Sequence, residues 1–491
     1  MNIRAFSFLL CSGNFMLYAL RVNLSVAIVA MVKPDSELVP VTIPPSPSFK
    51  SSLDKIEPYN ERRVCHYPDE TLPTATVTSS TSSQGEFDWD ARTQGYILGS
   101  FFWGYCLTNL LGGLLAERYG GRIVYGMGVT LTSILTILSP MAAHSSTSAF
   151  MLIRILEGMT EGVTFPAMNV LMAHWVPAAS RAGFFAFTTS GCLFGTVVTM
   201  CVTGLLCDSS WGWPSCFYLF GFLGLVWAVV WFYNVSDVPL TGSVNADQDT
   251  RRKSGVPWMK IVTSPAFLCV VVAHFCANWG FYCLLTEMPS YLAKVLHFNL
   301  HTNGLVSSLP FIAKWCTLLT FPAYMDRKVL KGEISLYNAR RFSSFAGLLI
   351  PGLLLTTIGL AGCNRTLVVM ILTLAVGLSG LDHAGHLCAF QELAPNFAGT
   401  LTGISNTVAT LPGFLAPQLT GYLTRDQGWE GWQTLFFITF LLYATGACVY
   451  AFFVSVKVQP WNSPVHSSQG SPGRALLKHP NPAAGLTSIS A

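Results

Sequence analysis

Apolar runs of about twenty residues recur along this chain, separated by short polar stretches. A run of that length crosses the hydrocarbon core of a bilayer as a helix. The pattern predicts twelve such helices. The first six fall near residues 5–32, 93–115, 123–143, 149–171, 182–206 and 214–233. The second six fall near 265–288, 303–323, 343–362, 367–388, 399–423 and 431–454. Charged residues interrupt the runs at 149–171 and 303–323. A polar stretch, Asn234 to Lys260, separates the two sets. The expected fold class is therefore an all-α polytopic membrane protein with twelve helices in two pseudo-symmetric six-helix halves. The expected divisions are 1–233 (N-terminal half, with a disordered outer loop near 33–92), 234–264 (central cytoplasmic loop), 265–454 (C-terminal half) and 455–491 (flexible cytoplasmic tail).

Composition removes the soluble alternative. Of 491 residues, 51% are hydrophobic and 11% charged, against roughly 25% charged in soluble domains. The net charge of +4 is small, and the basic residues fall mostly in loops beside the spans, so no nucleic-acid partner is expected. Arg118, Arg122, Arg181, Lys260, Arg327, Lys328, Arg340 and Arg341 collect on one side. The short loops of the other side offer Lys294, Arg365 and Arg425. The positive-inside rule then puts both termini in the cytoplasm. The first apolar stretch starts almost at Met1; it is too long for a cleaved signal peptide and carries Arg21, so it is expected to remain as a span. The sequon at Asn364 lies in an outer loop and is the candidate glycosylation site. The fourteen Cys include no C-x-x-C pair and no metal spacing, so no metal site is expected; Cys65, Cys207, Cys216 and Cys363 lie near the outer side, where one disulfide has room to form.

The chemistry concentrates in Leu152-Ile-Arg-Ile-Leu-Glu-Gly-Met-Thr-Glu-Gly-Val-Thr-Phe-Pro166. Arg154, Glu157 and Glu161 stand at i, i+3 and i+7 and share one helical face. Charge at membrane depth is expensive and faces a cavity where it has a task. A fixed cation beside two titratable acids suits a protein that moves an anion together with protons. Arg21, near the middle of the first span, is a second candidate anion contact. One glutamate is expected to neutralise Arg154 and the other to carry the proton; the pair titrates together, so either fits either role. Gly112-Gly-Leu-Leu-Ala-Glu-Arg-Tyr-Gly-Gly-Arg122 joins spans two and three, and Glu117, Arg118 and Arg122 are candidates for a gating latch. Tyr105 on helix two, and Asn278 and Tyr282 at i, i+4 on helix seven, are candidate neutral substrate contacts. Lys314 reads as a second cationic contact or a snorkelling helix-end residue. His383 and His386 lie near Asp382 without a third metal ligand.

Three stretches, Tyr18-Ala-Leu-Arg-Val-Asn-Leu-Ser-Val-Ala27, Gly99-Ser-Phe-Phe-Trp-Gly-Tyr105 and Glu157-Gly-Met-Thr-Glu-Gly-Val-Thr-Phe-Pro-Ala-Met168, resemble the anion–cation symporter family of the major facilitator superfamily. Gly403-Ile-Ser-Asn-Thr-Val-Ala-Thr-Leu-Pro-Gly413 extends the resemblance into the second half. The resemblance implies anion binding by Arg21 and Arg154 and proton coupling by Glu157 and Glu161. It implies a secondary active transporter of small organic anions (sialic acid, another acidic sugar or another carboxylate) by proton-coupled symport. The alternative within the family is sodium-dependent cotransport of inorganic phosphate. Members that carry glutamate hold an Arg and a His where this chain has Ala277 and Leu98, which argues against glutamate as cargo. The expected partners are the small anion and the lipid bilayer, with the protein monomeric in a lysosomal, endosomal or plasma membrane. No cofactor is expected beyond the coupling ion, a proton or alternatively sodium. No nucleophile and base are arranged for an enzyme.

Overall fold

The computed structural model describes residues 2–33, 85–176, 181–237, 256–395, 397–424 and 429–462. Most of the first outer loop (including Cys65), the middle of the central loop and the tail from 463 onward lie outside the described residues.

The first set of helices is α1 (Ile3–Met31), α2 (Ala91–Tyr119), α3 (Gly121–Ser145), α4 (Thr147–Gly162), α5 (Thr164–Trp175), α6 (Arg181–Cys207) and α7 (Pro214–Asn234). The second is α8 (Trp258–Val262), α9 (Pro265–Lys294), α10 (Leu300–Leu330), α11 (Leu336–Ala361), α12 (Arg365–Ser379), α13 (Ala389–Leu393), α14 (Ala398–Thr410), α15 (Pro412–Leu423) and α16 (Trp429–Phe453). Short polar residues start many of them. Asn2, Asp90, Ser146, Asn299, Ser335 and Asn364 each accept a backbone N–H from the first turn of the following helix, which satisfies a donor that the helix itself leaves unpaired.

Among the described residues nine helices are long and apolar enough to cross a membrane. Three of the predicted runs are not continuous helices. The fourth divides at Val163 into α4 and α5, because Pro166 has no N–H for the preceding turn; at the break Thr164 Oγ1 donates to the Glu161 carbonyl at 2.6 Å. The eleventh divides at Leu411, before Pro412. The tenth ends at Ser379 and continues as two 3-10 turns, Gly380–Ala384 and His386–Cys388.

Helix α1 packs on α6, α2 lies between α4 and α15, and α3 packs on α4 and α7. In the second set α16 packs on α9 and α11, and α12 on α10 and α11. One buried apolar cluster belongs to the first set; a second belongs mainly to the later helices and takes in Tyr18, Phe101, Phe102, Tyr105 and Met200 from the first. Between the sets, α6 meets α10 at Gly204 and Gly304, where a Cβ on Gly204 would lie 2.9 Å from Gly304 Cα. The same end of the bundle is tied by Lys294 Nζ donating to Gln94 Oε1 at 2.8 Å. On α14, a Cβ on Gly403 would meet nothing within 4 Å. The two sets are thus in contact where α2 and α10 begin.

A buried charge cluster as the candidate functional site

Helices α2 and α4 touch backbone to backbone. A Cβ on Gly104 would strike the Ile155 carbonyl, and one on Gly158 would strike the Phe101 carbonyl. Such small-residue contacts let membrane helices approach closely. They bring the charged face of α4 against Phe101 and Tyr105 of α2, with α1 alongside.

Four charges meet there, all buried: Arg21 is 5% exposed, Arg154 2%, Glu157 0% and Glu161 1%. Arg154 Nη1 is paired with Glu157 Oε2, one turn along α4. Ser139 of α3 donates to the other oxygen of Glu157 at 2.9 Å. Arg21 Nη2 is paired with Glu161 Oε1 across 140 positions of sequence. The two pairs are linked, because Arg154 Nη2 donates to the Arg21 carbonyl at 3.4 Å. The Arg21 guanidinium lies 4.8 Å from the ring centres of Tyr18, Phe101 and Tyr105, and that of Arg154 lies 5.3 Å from Phe101. Cation–π contacts of this kind contribute about 0.5–2 kcal/mol each. Among the described residues, Arg21 Nε, Arg154 Nε and Glu161 Oε2 have no hydrogen-bond partner.

The structure therefore brings Arg21, Arg154, Glu157, Glu161 and Tyr105 together. Tyr105 is 3% exposed, whereas its neighbour Trp103 is 37% exposed and turned away. Tyr282 joins from α9, its ring 4.7 Å from Phe102. Asn278 is committed elsewhere, its Nδ2 donating to the Ala409 carbonyl of α14 at 2.8 Å. Sequence reasoning missed Tyr18, Phe101 and Ser139. Tyr18 and Phe101 had a signal, one turn before Arg21 and Tyr105 on the same helical faces; Ser139 had none.

The α2–α3 turn is tied within its own set. Gly120 has φ +90, a region that favours glycine, and the adjacent Arg122 N–H donates to Asp237 Oδ1 at 2.7 Å. The Arg122 side chain donates to the Phe232 carbonyl at the end of α7. Arg118 lies 5.5 Å from the Tyr119 ring, and the Glu117 side chain lies outside the described residues. Asn364 is exposed and caps α12. Cys363 is disulfide-bonded, while Cys207 and Cys216 are free.

A multi-pass helical chain with opposed charges sealed between its helices has the build of a membrane carrier. The chain belongs to the Major Facilitator Superfamily, whose profile matches residues 10–417, and it is a secondary transporter, not an enzyme. It is similar to sialin from Homo sapiens, with 35% identity over 91% of this chain and 88% of that protein. It is also similar to a putative inorganic phosphate cotransporter from Drosophila melanogaster, with 32% identity over 94% of this chain and 87% of that one. Its fold is similar to that of a D-xylose–proton symporter, with TM-score 0.64, 15% identity, and coverage of 93% and 99%.

Proposed function

We propose that the protein carries small organic anions, with carboxylates such as acidic sugars as the substrate class, by symport with protons. The observation that supports this most is the Arg21–Glu161 pair: the cation that an anion would seek is occupied by a titratable acid. Two arginines and two glutamates sum to zero charge. An anion alone would leave the site at −1 and a proton alone at +1, and each unbalanced buried charge costs several kcal/mol. Proton and anion together restore zero. Protonation of Glu161 releases Arg21, the anion takes its place, and the loaded site is again neutral and free to move through the bilayer.

In this reading Arg21 and Arg154 hold the anion, and Tyr105 and Tyr282 orient it. Glu161 carries the proton while Glu157 keeps Arg154 aligned. Two six-helix halves of a twelve-helix fold rock about the site, and Glu117, Arg118 and Arg122 with Asp237 regulate the rocking. The protein works as a monomer in a lysosomal, endosomal or plasma membrane, with both termini cytoplasmic and Asn364 glycosylated on the far side.

A second reading, sodium-dependent cotransport of inorganic phosphate, is favoured by the name of the Drosophila relative. Uptake in proteoliposomes under a proton gradient without sodium separates the two. Proton-driven carboxylate uptake that needs Glu161 supports the first; uptake of phosphate driven by sodium alone replaces it.

A further inference from the structure

The second set of helices holds another buried charged cluster, which the anion site does not use. It sits where the tenth run loses its α-helical form, over Gly380–Cys388. Asp382 Oδ1 lies 2.7 Å from His383 Nδ1. Lys314 of α10 is 6% exposed, with its ammonium 4.7 Å from the Phe281 ring and within electrostatic reach of Asp382. His386 is fully buried, and among the described residues neither ring nitrogen has a hydrogen-bond partner. Leaving such groups unpaired in an apolar interior is costly, so the arrangement is poised for another.

The backbone is held as firmly as the side chains are not. Arg340 donates to the Ala384 carbonyl at 2.9 Å, and His386 N–H donates to Ser344 Oγ at 2.7 Å. Broken helices of transporters mark places where ions bind. A metal cation is a poor match, because the only carboxylate of the turn shares its field with the Lys314 ammonium. A proton fits, since an imidazole next to a carboxylate accepts one.

We propose that Asp382 and His383, with His386 beside them, form a second proton-binding site, whose occupancy is coupled to the anion cycle. Every packed element bears on its charge. His274 of α9 lies 5.7 Å from the His386 ring and bonds Ser405. Lys314 faces the site from α10. Arg340 of α11 is paired with Glu392 of α13 at 2.8 Å and lies 3.8 Å from the exposed Asp326 of α10. Tyr450 of α16 closes the far side, 6.2 Å from the His386 ring, and Tyr443 lies within reach of Asp382. Helix α12 adds Ser379 and no charge near the turn. With Asp382 ionised and Lys314 protonated the cluster is neutral, and one proton on His383 charges it; the conformational change then has a charge to respond to. The inference rests on proton-coupled transport as proposed above.

The test has two parts. Full-length protein with isotope-labelled histidine, in nanodiscs, is titrated by NMR from pH 8 to 5. The expected result is an imidazole beside Asp382 that takes up a proton, disappears in His383→Gln, shifts in Asp382→Asn and persists in Glu161→Gln. In proteoliposomes without membrane potential, His383→Gln should retain anion exchange. Its accumulation at a one-unit pH gradient should fall about tenfold, the value of one coupled proton. Absence of any such imidazole in the wild type overturns the site, whether or not the variants fold. An imidazole that titrates while accumulation by His383→Gln is unchanged overturns the coupling. Loss of proton-driven uptake in Glu161→Gln, read separately, judges the first site.

Discussion

Glu161→Gln is the most informative substitution. It keeps the size of the side chain and an oxygen to accept from Arg21, and it removes only the charge. In the proposed cycle an anion displaces the Glu161 carboxylate from Arg21, with which it is paired. A pair of this kind is worth about 4 kcal/mol at an effective dielectric constant near 20. The aromatic faces of Tyr18, Phe101 and Tyr105 hold the guanidinium equally in both proteins. If solvent and relaxation recover half of the loss, about 2 kcal/mol remains to be gained by an incoming anion, or roughly a thirtyfold increase in affinity. The gain belongs to high pH, where the wild-type glutamate is charged. Binding of a carboxylate to purified protein in nanodiscs, from pH 5.5 to 8, reads it directly. The variant should bind tightly with a flat pH profile, exchange anion for anion, and fail to accumulate anion against a gradient. Weaker binding at pH 7.5 with proton-driven accumulation intact would refute the charge balance.

Arg154→Ala leaves Glu157 buried without its cation, with the Ser139 hydroxyl still donating to it; anion binding should be lost and stability should fall by about 3–5 kcal/mol. Adding Glu157→Gln should recover the thermal midpoint but not binding, as thermal unfolding and a binding assay will show. Asp237→Ala removes the bond to the Arg122 N–H, worth about 1 kcal/mol; the turnover rate should change at unaltered anion affinity, measured by exchange kinetics and equilibrium binding. Asn364→Gln should abolish a glycosidase-sensitive mobility shift in cells, and retention of that shift would move the glycan elsewhere.

The helices were largely legible because a run's length and apolarity suffice to define a span. Their interruptions were not. Pro166 stood in the motif itself, yet the fourth run was read as continuous, since apolarity carries on through Val163 to Trp175. The Arg154–Glu157 pair follows from i, i+3 spacing on one helix. The Arg21–Glu161 pair joins different helices, and periodicity within a helix is silent on its neighbours. The aromatic faces around Arg21 were hidden for another reason. Phe101 shares a face with Tyr105 at i, i+4, but at 13% aromatic content nothing in sequence tells that this face meets α1. Asn278 shares a helix with Tyr282 but turns to α14, a choice made by packing. Asp237 falls in the polar stretch Asn234 to Lys260; only the folded turn places it under Gly120 and Arg122.

In the proposed cycle an anion and a proton enter one neutral site together. Its most direct test is uptake of labelled sialic acid, glucuronate, aspartate, glutamate, urate and phosphate into proteoliposomes, under a pH gradient and then under a sodium gradient. A carboxylate should be taken up under the pH gradient alone, and Glu161→Gln should abolish its accumulation. Uptake driven by sodium alone, chiefly of phosphate and indifferent to Glu161, would contradict it.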